Sequence, residues 1–215
     1  MSSVRSRLSA EKNELFPVFL KLSQQRCLVV GAGKTIDEKI PTLLTCGALV
    51  TIVAPAATPK VQRWAGSGKV IWIQRRFESQ DLDDVFLCVV ATSSKATNRS
   101  IFEAAQQRRI LCNVVHDGAY CNFYYPAVVR RGPLQIAIST AGHSGALAKR
   151  LRQELELEFG PEWENWLRWL GQARSSLYDD ALSPRQRRTM LQKLASRKTQ
   201  EEMFRRWGVL PKSKR

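Results

Sequence analysis

Cys27-Leu28-Val29-Val30 is a short apolar run that ends on Gly31-Ala32-Gly33, and the residues from Lys34 onward read as a helix. A strand that passes into a helix through two glycines is how a βαβ unit opens, and few folds accommodate it. In that setting the first glycine permits a tight turn and the second lets an anionic group approach the backbone. The helix start then offers N–H groups and positive potential to phosphates. The match is incomplete. Ile36 takes the third position, where Gly or Ala is usual, and the next strand ends on Val53-Ala54-Pro55 without an acidic ribose acceptor. The same residues also suit a tight turn that holds no ligand.

The segments that follow keep the alternation. Helices are expected over 34–46, 58–67 and 97–108, and strands over 48–54, 70–74, 85–91 and 110–115, with Gly47 and Gly68 ending the first two helices. Strands and helices alternating at this spacing predict an α/β chain with a doubly wound, Rossmann-like parallel sheet. The pattern changes after His116. Two strands, 123–129 and 134–140, flank Arg130-Arg131-Gly132-Pro133 and read as a hairpin or β arm. Helices are expected over 146–159, 161–173, 184–195 and 200–207, with Ser183 as N-cap and Pro184 at the first helical position. The expected division is a dinucleotide-binding domain over 1–115, a small β segment over 116–143 and a helical part with a basic tail over 144–215.

Composition limits the partners. The chain is 44% hydrophobic, enough for a core, but its apolar runs are far too short to span a bilayer. Residues 1–14 contain no apolar stretch of the secretory kind, so a cytoplasmic location is the default expectation. A net charge of +15 implies an anionic partner, and eleven basic against two acidic residues lie from Ser183 onward. With Phe204 and Trp207 among them, those charges admit nucleic-acid binding, although a solvated helical face explains them equally. None of the five cysteines forms a C-x-x-C pair, which favours buried reduced thiols over a zinc site.

Further candidates lie where strands of such a sheet end, since ligands bind there. Ala91-Thr92-Ser93-Ser94 follows the fourth strand, and Ser93 or Ser94 also suits a helix N-cap. His116-Asp117 follows the fifth, where an imidazole beside a carboxylate can move protons near neutral pH; a surface His-Asp pair is more often inert. Thr140-Ala141-Gly142-His143-Ser144 leads into a helix whose start is a further anion site. His116 and His143 near one cleft could hold a metal, but nothing in the sequence shows that they meet, and no metal site is expected.

Longer motifs carry a resemblance. They are Phe16-Pro17-Val18-Phe19-Leu20-Lys21-Leu22, the strand and turn ending at Gly33, Lys39, Leu43-Leu44, and Gly47-Ala48 with Val50 to Pro55. They continue with Ala91-Thr92, Asn98, Cys112-Asn113-Val114-Val115, Phe123, Pro126 to Leu134, and Ile138-Ser139-Thr140 with Gly142, Ser144, Leu147 and Ala148. Over about residues 15–160 the chain resembles the precorrin-2 dehydrogenase / sirohydrochlorin ferrochelatase family, the N-terminal module of siroheme synthases.

The resemblance implies a Rossmann domain, a β-rich dimerisation segment, a helical domain and a homodimer. It implies NAD-dependent oxidation of precorrin-2, a carboxylate-fringed tetrapyrrole, to sirohydrochlorin, and some relatives also insert ferrous iron. The implied cofactor-binding set is Gly31, Ala32, Gly33, Lys34, Thr35, Pro55, Thr92 and Asn113. The implied substrate-binding set is Thr140, Gly142, His143 and Ser144, and the catalytic pair is His116 and Asp117. Here the chain departs from the family, which places Asp where His116 stands. Ile36 and Glu38 replace Ala and Arg, Gly145 replaces the usual Pro, and Thr140 stands where some relatives carry Ser. Whether metal is inserted, and whether NAD or NADP is used, stays open. The alternative is a non-enzymatic basic protein that binds a tetrapyrrole or nucleic acid on a degenerate Rossmann scaffold, with nucleic acid the disfavoured partner.

Overall fold

A computed structural model describes residues 15–179 and 181–209, with the side chain of Asp179 outside the description. The readings of residues 1–14 and of Lys212, Lys214 and Arg215 fall outside the described residues. The chain divides into two compact units, one ending at Tyr124 and the other beginning at Tyr125.

The first unit is built on five parallel strands: β1 (Arg26–Val30), β2 (Leu49–Val53), β3 (Ile71–Ile73), β4 (Leu87–Val90) and β5 (Leu111–Val114). Their order is β3-β2-β1-β4-β5, the doubly wound arrangement expected. The connecting helices are α1 (Lys34–Thr45), α2 (Pro59–Gly66) and α3 (Lys95–Gln107). The three inner strands β1, β2 and β4 carry apolar residues on both faces because helices cover both. Leu28, Val30, Cys88, Val90 and Cys112 pack with Ile101 and Ala105 of α3, while Ile36, Ile40 and Leu43 of α1 are buried as well. Ile36 is fully buried, so the position that usually keeps helix and sheet close by being small instead contributes a branched side chain to the core.

Several boundaries differ from the sequence expectation. Ser94, whose Oγ accepts from Thr97 N at 3.2 Å, caps α3, so that helix starts at Lys95 rather than at 97. A 3-10 turn, Ser79–Leu82, was not foreseen; Glu78 and Asp81 cap it reciprocally, and Leu82 fills the core beneath.

In the second unit β6 (Ala127–Arg131) and β7 (Leu134–Ile138) form an antiparallel hairpin. Its first strand begins four residues later than expected. Residues 123–126 lie outside any strand, and Pro126, without an N–H, cannot extend the ladder. Arg131 reaches the end of α4 (Gly145–Glu158), donating from Nε to Phe159 O at 2.7 Å and from Nη2 to Glu156 O at 2.9 Å. The chain continues through α5 (Glu162–Asp179), α6 (Pro184–Leu194) and α7 (Arg197–Arg206). Ser183 and Gln186 form the capping box of α6, and Ser196 starts α7 three residues earlier than expected. Trp163, Trp166, Phe204 and Trp207 meet edge-on or tilted between α5 and the end of α7, with ring centroids 6.1–6.5 Å apart.

Candidate functional site

The sheet order reverses at β1, whose neighbours are β2 and β4. The C-terminal ends of those strands therefore open the crevice where such sheets bind ligands. Register aligns Val30 with Val53 and Val90, and Val90 with Val114. Gly31, Pro55, Thr92 and His116 thus follow adjacent strands along one sheet edge.

The two glycines of the turn answer to different demands. Gly31 has φ +100°, and a Cβ there would lie 2.4 Å from Ala91 O, so the chain itself requires this glycine where β1 and β4 end. Gly33, at φ −82°, would meet nothing within 4 Å. The packing of this chain does not ask for glycine there, and the open space in front of the α1 N-terminus suits the close approach of a pyrophosphate. Lys34 and Thr35 form the first positions of α1, with Lys34 exposed and Ala32 buried. Thr58 steadies the turn: its N–H donates to Ala32 O at 3.1 Å and its hydroxyl to Asp37 Oδ1 at 2.6 Å. Pro55 is exposed at the end of β2. These residues fit a dinucleotide.

Thr92 is locked by Asn98. Asn98 Oδ1 accepts from Thr92 N at 3.2 Å and from its hydroxyl at 2.6 Å, and Asn98 Nδ2 returns a bond to Thr92 O at 3.2 Å. Asn113 is buried within β5 and directs its amide to Phe123 O at 2.8 Å and Cys121 Sγ at 3.3 Å. Its amide nitrogen thus holds the chain after the sheet edge.

Val114 to Asp117 form a turn closed by Asp117 N donating to Val114 O at 3.2 Å. His116 occupies its third position with φ +66°, where Gly or Asn is usual. His116 is exposed and Asp117 half-buried. Among the described residues no group of three or more His, Cys, Asp or Glu could hold a metal ion.

Thr140 to Ser144 lie in the second unit. Thr140 Oγ1 accepts from Ser144 N at 3.2 Å and donates to Ser144 O at 3.0 Å, and Ser144 Oγ caps α4 through Leu147 N at 3.1 Å. Gly142 has φ +84°, and His143 is exposed. The sequence reading missed Thr58, Asp37, Cys121 and Asn122 as supports of the first site, since nothing local marks their partners. Asn98 had entered only through the resemblance.

A family described as putative NAD(P)-binding matches residues 18–127, and one described as sirohaem biosynthesis protein central matches 131–157. The chain belongs to the putative NAD(P)-binding family. The matched residues 18–127 take in the whole parallel sheet and its glycine turn. It is 36% identical over 178 residues to siroheme synthase 1 of Serratia proteamaculans (strain 568), covering 81% of this chain and 37% of that protein. It is 41% identical over 166 residues to the siroheme synthase of Xylella fastidiosa (strain M12), covering 77% and 35%. The chain therefore spans about a third of the length of these curated relatives. A solved structure of SirC, precorrin-2 dehydrogenase, superposes with a TM-score of 0.74 at 27% identity, covering 85% of this chain and 90% of that one.

Proposed function

We propose that this chain is an NAD-dependent precorrin-2 dehydrogenase that oxidises precorrin-2 to sirohydrochlorin. The observation that carries the reading is the likeness to the precorrin-2 dehydrogenase structure across nearly all of that chain, at a TM-score of 0.74. The siroheme synthases among its relatives and the open turn at Gly33 support it.

Bound NAD supplies the hydride acceptor. The chain's own residues bind and orient. Gly31, Ala32, Gly33, Lys34 and Thr35 receive the pyrophosphate, with Pro55 and Thr92 along the same edge and Asn113 buried in β5 behind it. Loss of hydride from the macrocycle must be matched by loss of a proton, so a base near the reacting carbon is needed. His116 takes that proton in this reading, and Asp117 orients it or acts in its place. Thr140, Gly142, His143 and Ser144 hold substrate carboxylates at the capped start of α4. The reading includes a cytoplasmic homodimer formed through residues 123–140, which light scattering at micromolar concentration tests.

The deciding experiment is an anaerobic assay with precorrin-2 and NAD, followed by ferrous or cobaltous ion. NAD-dependent formation of sirohydrochlorin is expected. Metal insertion without it would overturn the reading, whereas both together would mark a bifunctional enzyme. Unchanged rates in His116→Ala and Asp117→Ala would remove these residues from the mechanism.

A further inference from the structure

His116 stands in a left-handed conformation that costs a non-glycine residue free energy and persists only where its surroundings impose it. The backbone bond from Asp117 N to Val114 O closes the turn, and the chain immediately after it adds further contacts. Cys121 Sγ lies 3.3 Å from Val114 O and 3.2 Å from Asp117 O, the carbonyls on either side of the turn that contains His116. The same sulfur accepts from Asn113 Nδ2, and Asn113 and Cys121 pair as an isolated antiparallel bridge. Asn122 fastens the next residue to β5, with its N–H on Cys112 O at 2.8 Å and its Oδ1 accepting from Cys112 N at 3.1 Å.

We propose that Cys121 is a positioning residue: its thiol, steered by Asn113, shares its one hydrogen between the carbonyls at the two ends of the His116–Asp117 turn and fixes where the imidazole projects. The catalytic part of this inference rests on the function proposed above; the geometric part does not. The clamp works only while the thiol is protonated, since a thiolate would face two carbonyl oxygens with no hydrogen to give. Burial pushes the Cys121 thiol up, opposed by its bond to Val114 O, so it stays protonated at neutral pH. This role differs from that of Cys88 and Cys112, which are core residues paired across β4 and β5.

The test uses the full chain and two readouts. The chain has two histidines, so proton NMR of their ring signals reports on His116 with His143 as internal control. In Cys121→Ala the His116 signal is expected to shift or broaden while that of His143 stays in place. In the same variant kcat is expected to fall about ten-fold, with the KM for NAD unchanged, as for a misplaced catalytic group. Cys121→Ser, which keeps a donor and an acceptor, is expected to restore most of both. Cys121→Val serves if the alanine variant does not fold, because it fills the space left by the sulfur and removes the donor. An unchanged His116 signal in a folded variant lacking the donor would overturn the proposal, whatever the rate. A displaced signal with wild-type kcat would overturn its catalytic part. If His116→Ala and Asp117→Ala are both fully active, the functional reading of the turn fails, and the histidine signals still decide whether the thiol holds it.

Discussion

Up to Tyr124, Val29, Ile36, Ile40, Ile52, Val61, Cys88, Val89, Ile101 and Ala105 are sealed from solvent; from Tyr125 onward the described residues bury Val129, Ala148, Trp166 and Phe204. The first unit is thus an apolar sandwich of sheet between helices. The second is a hairpin and four helices tied by edge-on aromatic rings, by serine caps on three of those helices and by exposed ion pairs such as Arg197–Glu201. Exposed pairs of that kind contribute little, so the rings and the few buried residues carry the second unit. The proposed site residues divide in the same way. The first unit offers a glycine turn and a strained turn held on a rigid sheet edge, whereas the second offers a capped helix start.

This contrast can be broken first at the glycines. Gly31→Ala places a Cβ 2.4 Å from the Ala91 backbone, at a positive φ. We expect a loss of roughly 4 kcal/mol or more, enough to unfold the first unit, seen as a collapsed denaturation midpoint. Gly33→Ala, which meets nothing, should leave that midpoint within about 0.5 kcal/mol of wild type while weakening NAD binding in calorimetry. Equal stability losses in both would refute the division of labour between them.

Next comes Phe204→Ala. It removes a buried ring that touches Trp163, Trp166 and Trp207, and should cost the second unit about 3 kcal/mol. Tryptophan fluorescence should report an early transition, while NAD affinity, a property of the first unit, stays unchanged. Loss of both together would show that the units do not unfold separately.

A smaller effect is expected from pH. Burial works to raise the Asp81 carboxyl, but the Arg75 guanidinium and the Glu78 N–H outweigh it and hold it below the usual carboxylate range. A carboxyl lowered in the folded chain stabilises fully above its unfolded value, and that contribution drains away as the pH falls through the folded one. The melting temperature of the first unit should therefore decline as pH drops below about 4, and Asp81→Asn should flatten that decline. An identical pH profile in the variant would remove the pair from the explanation.

The smallest shift, and the sharpest contrast with Gly31, is His116→Gly. Relief of the left-handed conformation should leave stability equal or raised by up to about 1 kcal/mol, while turnover is lost. A variant both less stable and fully active would reverse the assignment of His116 to function.

Much of the fold was legible because its signals are local. The apolar runs of β1, β2 and β4, the turn at Gly31 and the cap at Ser183 are written in adjacent residues, and they predicted the parallel sheet and the start of α6. The errors fell where a partner is distant or a breaker was underweighted. Pro126 excluded residues 123–126 from the hairpin, and Ser94 and Ser196 moved two helix starts upstream.

The sequence by itself determined the doubly wound sheet, the strand-edge positions of Gly31, Thr92 and His116, and the change of character after that edge. Strand–turn–helix spacing and apolar periodicity suffice for these, since both act over a few residues. Only the tertiary structure decided that Gly31 is required by Ala91 while Gly33 is left open, that Asn98 locks Thr92, and that Cys121 Sγ lies against both carbonyls of the left-handed His116 turn. Each of those depends on atoms brought together by chain closure, and neither their distances nor a backbone dihedral can be read from the order of residues alone.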